Sequence, residues 1–134
     1  MKTILTTAAA AFIALSAPAL AADDIEQGEK DFKKCKACHS IVDPAGEVIV
    51  KGGKTGPNLW GVLGRQAGTD PEFARYTDEM VALGEGGLVW DAEEMGKYIP
   101  DAKGYIDAKT SMTPQKLKDV TDVIAYLAQF GPAE

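Results

Sequence analysis

Both cysteines and the only histidine of this 134-residue chain stand within five positions, in the run "CKACH": Cys35, Cys38 and His39. Soft ligands gathered this closely admit several chemistries. A structural zinc site takes about four Cys or His ligands, and the chain offers three in total. A disulfide between Cys35 and Cys38 would close almost no loop and constrain the unfolded chain very little. A dithiol redox pair belongs beside a strand–helix unit with a parallel sheet, and no such alternation is visible. A Cys–His nucleophile at adjacent positions leaves no room for an independently placed orienting group. The remaining reading is Cys-x-x-Cys-His, the attachment signature of c-type haem. On a helix, residues 35 and 38 share a face, where each thiol can form a thioether to a haem vinyl group. His39, one step on, then offers its imidazole to the iron from the same side.

With His39 on one side of the iron, the other side is either open or ligated. No second histidine exists, so the ligand type is a methionine thioether, and Met80, Met95 and Met112 are the candidates after Met1 is set aside. Met95 lies at helical spacing from Tyr98 and Ile99, and Met80 precedes Val81 and Leu83, so both read first as packing. Met112 sits in the polar stretch "AKTSMTPQ" and has no obvious packing role, which favours it over the other two. A His/Met pair raises the potential and leaves no vacant position, so electron transfer is what remains. An open sixth position would instead suit a haem enzyme or gas sensor.

This haem is attached outside the cytoplasm, and the start of the chain agrees. Lys2, the apolar "ILTTAAAAFIAL" and the small-residue ending Ala19-Leu20-Ala21 have the layout of a secretory signal peptide over residues 1–21. The apolar run is shorter than the ~20 residues of a membrane span. Residues 22–134 then form one domain. Without residues 1–21 the balance is 13 basic against 20 acidic side chains, or −7, which excludes nucleic acid as a main partner.

Around the motif the elements are short. "DDIEQGEKDFKKCKACHS" reads as one helix capped by Asp23 or Asp24, with Ile25, Phe32 and Cys35 near one face. Gly28 lies on that face, where a helix glycine costs up to about 1 kcal/mol and signals close approach by another helix. Residues 43–57 are turn-rich around Val48–Val50 and suit a small hairpin or loop. "FARYTDEMVAL" supplies a helix from Phe73 to Leu83. Asp91 with Glu94 opens another that Pro100 discourages beyond Ile99. Leu117, Val120, Val123, Ile124, Leu127 and Phe130 mark a last helix, stopped by Gly131 and Pro132. Three to five helices with long connections call for something large in the middle, and a cofactor supplies it.

At this point the sequence resembles the class I cytochromes c, most closely the bacterial cytochrome c2 group. "CKACH", "KGGKTGPNLWGVLGR", "RYTDEM", Trp90, "TSM" and "DVIAYL" follow in family order across the whole of residues 22–134. The resemblance implies an all-α class I cytochrome c fold wrapped around one covalently bound haem c, with His39 and Met112 as metal ligands. It further implies that the Pro57 carbonyl accepts from the His39 ring, and that Arg65, Tyr76 and Trp90 surround a haem propionate. Tyr98 stands near the methionine sulfur, Thr110 precedes the ligand, and Gly28 and Phe32 meet Val123 and Tyr126 where the terminal helices cross. There are two departures: Pro114 replaces a frequent aromatic, and Met80 stands where many relatives carry asparagine.

By the same resemblance the protein is a periplasmic, monomeric mono-haem electron carrier and not an enzyme, without a permanent membrane anchor. Electrons would come from a cytochrome bc complex and go to a photosynthetic reaction centre or a terminal oxidase. Lys36, Lys54, Lys97, Lys109 and Lys116 flank the expected haem edge and form a docking ring for acidic partners.

Overall fold

The computed structural model describes residues 24–131; the export segment 1–21 lies outside them. Five short α-helices are present among the described residues: α1 Ile25–Phe32, α2 Asp78–Glu85, α3 Ala92–Tyr98, α4 Ala102–Ile106 and α5 Val120–Leu127. A two-stranded antiparallel hairpin pairs β1 (Ile41–Val42) with β2 (Val48–Val50). None of the described helices is long and apolar enough to cross a membrane. The mainly helical expectation holds, and the small hairpin is where the turn-rich stretch placed it.

Helices of five to eight residues are too short to persist alone, so their ends and their packing decide them. Each begins on a side-chain cap that accepts a hydrogen bond from the first turn: Asp24, Thr77, Asp91, Asp101 and Asp119. α1 and α5 then cross at Gly28. A Cβ there would run into the Asp122 carbonyl and come within 2.9 Å of Tyr126 Cβ. The close approach lets Phe32, 1% exposed, stack at 5.5 Å on Tyr126. Asp24 N donates to Asp122 Oδ1 at 2.8 Å across the same crossing. α3 packs on α5 and contributes Met95 and Tyr98 to the core, with Ile99 directly after it.

Four elements differ from the sequence reading. α1 does not continue through His39; it ends at Phe32, and Cys35–Ala37 form a 3-10 turn. The carbonyls of Lys36 and Cys38 accept from Gly53 N at 2.9 Å and Gly56 N at 2.8 Å. α2 starts at Asp78 rather than Phe73, because Thr77 is extended and its hydroxyl caps Met80 N at 3.3 Å. The last helix begins at Val120, leaving Leu117 in the preceding loop. α4 was not foreseen.

Candidate functional site

The 3-10 turn Cys35–Ala37 and the residue that ends it, Cys38, bring both thiols of the "CKACH" motif to one cavity. Cys38 N and His39 N both donate to the Cys35 carbonyl, at 3.1 and 2.9 Å. The glycine loop 52–56 lies directly on this turn. A Cβ on Gly52 or Gly53 would strike the carbonyls of His39 or Ala37, and one on Gly56 would enter the His39 ring. Only glycine permits that approach. These three positions were read as turn formers; their role is a tertiary contact that no local pattern displays.

Pro57 follows immediately, and its carbonyl lies 2.7 Å from His39 Nδ1. A carbonyl only accepts, so Nδ1 carries the proton and Nε2 keeps its lone pair. Burial lowers the His39 pKa, opposed by the Pro57 bond, with the Arg65 charge adding to the lowering. The ring is thereby held neutral, the form in which imidazole binds a metal. Cys35 is pushed up to about 11 by burial and by Asp31. Such a thiol is a poor redox nucleophile, which counts against the dithiol reading.

All ten sequence-selected site residues line a single cavity of about 320 Å³. Cys35, Cys38, His39 and Pro57 form one wall. Arg65 and Trp90 are brought side by side because residues 64–67 pair with 88–90. Gly64 N donates to Trp90 O at 2.7 Å, and Trp90 N donates to Arg65 O at 2.9 Å. Arg65 Nη2 donates to Asn58 O at 2.8 Å. The Tyr76 hydroxyl accepts from Asp70 N at 3.3 Å. Tyr98 packs on Trp90 at 4.8 Å, and its hydroxyl is partnered with Thr110, which opposes the rise that burial imposes on its pKa. Thr110 Oγ1 also accepts from Met112 N at 3.2 Å.

Met80 and Met95 reach the same cavity, but as buried members of the core, 7% and 5% exposed. Met112 is half-buried in the irregular segment 107–119. Asn58 is a second feature that sequence reading missed. Its side chain accepts from Val42 N and Trp60 N at 3.0 and 3.1 Å and donates to Val42 O at 2.7 Å. Its own N–H bonds Asp70 Oδ2 at 3.0 Å. It thus ties the hairpin to the cavity wall. Lys97 is a correction to the docking ring: its charge is offset by Glu93 at 2.7 Å and Glu94 at 3.2 Å. Lys36, Lys54, Lys109 and Lys116 are exposed and in no ion pair among the described residues.

The fit to a haem is good in kind. The wall is mainly apolar, the imidazole is neutral with its Nε2 unpartnered, two thiols stand beside it, and thioethers are within the same space. Comparison with known proteins points the same way. No protein-family model matches the chain. The chain is 50% identical to cytochrome c2 of Rhodobacter capsulatus, over 96% of this chain and 97% of that one. It is 54% identical to cytochrome c-551 of Roseobacter denitrificans, over 84% and 85%. Among solved structures, cytochrome c2 from Rhodobacter capsulatus superposes with a TM-score of 0.74 at 50% identity, covering 78% of this chain and 96% of that one. Ferric cytochrome c-550 from Paracoccus versutus gives 0.77 at 42% identity, covering 83% and 100%. The chain therefore belongs to the class I c-type cytochromes, in the c2 and c-550 group of electron carriers with a single covalently held haem c.

Proposed function

We propose that this chain is a periplasmic carrier that takes single electrons from a cytochrome bc complex to a photosynthetic reaction centre or terminal oxidase. Residues 1–21 act as its signal peptide. His39 and Met112 are the axial ligands, and Cys35 and Cys38 form the thioethers. The observation that carries the reading is the His39–Pro57 hydrogen bond, which leaves Nε2 facing a cavity that Met112 also lines. When bound, haem supplies a one-electron couple whose potential depends on axial ligand, burial and hydrogen bonding.

The residues of the chain do the rest. Pro57 fixes the ring orientation and tautomer of His39, the usual task of a partner to a metal-binding histidine. Arg65 and Trp90 provide donors and Tyr76 a hydroxyl for buried carboxylates. Thr110 holds Tyr98 and the Met112 backbone in one arrangement. The apolar wall excludes water. Lys36, Lys54, Lys109 and Lys116 steer acidic partners to the crevice despite the net charge. Reversing these four charges slows transfer to a partner complex most at low salt; a rate that does not change with the reversal removes the docking proposal.

Spectra of the haem-loaded protein test the ligand set. The ferrous form is expected to bind carbon monoxide slowly or not at all, and the ferric form to show the weak sulfur-to-iron band. Met112→Ala abolishes that band and opens the site to carbon monoxide. A band that survives assigns the ligand to Met80 or Met95. Rapid carbon monoxide binding by the unaltered protein supports an enzyme or sensor instead.

A further inference from the structure

Among the described residues Asp70 is the one charged side chain that is buried, 8% exposed, and it takes part in no ion pair. A carboxylate taken out of water without a cation has to be held by hydrogen bonds. Asp70 Oδ1 accepts from Glu72 N at 3.1 Å, two positions on, which is local turn chemistry. Oδ2 does something else: it accepts from Asn58 N at 3.0 Å, twelve positions back.

That N–H belongs to the same peptide group as the Pro57 carbonyl, and the Pro57 carbonyl accepts from His39 Nδ1 at 2.7 Å. One planar, conjugated amide is therefore engaged at both ends. The imidazole donates to its oxygen, and its nitrogen donates to a buried carboxylate. Hydrogen bonds in such a chain polarise one another, by about 10–30% per bond. Arg65 does not interrupt the chain, since its Nη2 donates to the next carbonyl along, Asn58 O, at 2.8 Å.

We propose that Asp70 is a positioning residue for the His39 ligand and acts through the Pro57–Asn58 peptide. Its negative charge draws on the Asn58 N–H, makes the Pro57 oxygen a stronger acceptor, and leaves His39 Nε2 more basic. The inference rests on the haem reading above. A carboxylate bonded directly to the far N–H of a metal-binding histidine orients the ring and raises its basicity. Here the peptide stands between them, so the pull reaches the ring while Asp70 itself stays out of the cavity lining. A more basic imidazole favours ferric over ferrous iron, so Asp70 holds the reduction potential down against the rise that a thioether ligand brings.

The test is Asp70→Asn in the haem-loaded protein, which keeps one acceptor oxygen and loses the charge. Spectroelectrochemical titration against a reference couple is expected to move toward the ferrous form by roughly three- to tenfold, where tenfold is about 59 mV for one electron. In proton NMR of the diamagnetic ferrous form, the His39 Nδ1–H and Asn58 N–H resonances both move upfield, as weaker hydrogen bonds require. Glu72→Gln removes an exposed neighbouring charge without touching the peptide and leaves both resonances and the potential in place. An unchanged potential in Asp70→Asn overturns the proposal. So does a moved potential with the His39 resonance unmoved, or an equal shift from Glu72→Gln. If Asp70→Asn does not fold, the unaltered ferrous protein decides. A scalar coupling across the hydrogen bond, between the Asn58 nitrogen and the Asp70 carboxylate carbon, supports the relay, and its absence overturns it. A coloured preparation with none of these signs defeats this inference alone; a colourless one from a haem-maturing host defeats the haem reading itself.

Discussion

The back and the front of the crevice are built by different means. At the back, α1 and α5 meet through backbone contact at Gly28 and through Phe32 and Tyr126, sealed from water. At the front, the irregular segment 107–119 carries Met112 and is tied to the rest by few hydrogen bonds. Gln115 N donates to Ile99 O at 2.8 Å, Lys34 Nζ donates to Lys116 O at 3.1 Å, and Tyr98 meets Thr110. The difference assigns stability to one region and, on the proposed ligation by Met112, control of the iron's sixth position to the other. Local opening draws on segments with few buried contacts, so the front can yield while the back stays folded.

Substitutions can break this division. Phe32→Ala empties a fully buried aromatic site at the back and costs about 3–5 kcal/mol of global stability, measured by denaturant unfolding of the haem-loaded protein. A loss confined to the front, with the unfolding midpoint unchanged, would contradict the assignment. Thr110→Val sharpens it from the other side. It removes the acceptor for Met112 N and the partner of Tyr98, an effect of about 1–2 kcal/mol that should appear as faster amide exchange in 107–119 and weakening of the sulfur-to-iron band. The unfolding midpoint should move far less than in Phe32→Ala. Equal shifts in the two variants would mean that front and back open as one unit.

The same division governs what was readable from residues alone. Val120, Val123, Ile124 and Leu127 recur at helical steps, and α5 follows them because that face is buried. Gly28 announced its own crossing, since an interior helix glycine is otherwise a cost. "CKACH" and the lone Met112 in polar surroundings stood out by chemistry, and the structure brings them to one cavity. The 3-10 turn did not stand out, because the Lys36 and Cys38 carbonyls beside it bond a loop 17 or 18 positions away. α4 has five residues and follows Pro100, too short to show a period. The pairing of Lys97 with Glu93 is an i,i+4 relation visible in the sequence, and it turns a supposed docking charge into a helix-surface ion pair.

One consequence concerns the acidity of the chain. Four of the five helix starts rest on aspartate, so part of the negative surplus serves to terminate helices and carries no message for partners. Asparagine and serine fill such positions about as well as aspartate. The isoelectric point can therefore be tuned by as many as four unit charges with the architecture kept, which makes overall charge and local charge separable variables in this molecule.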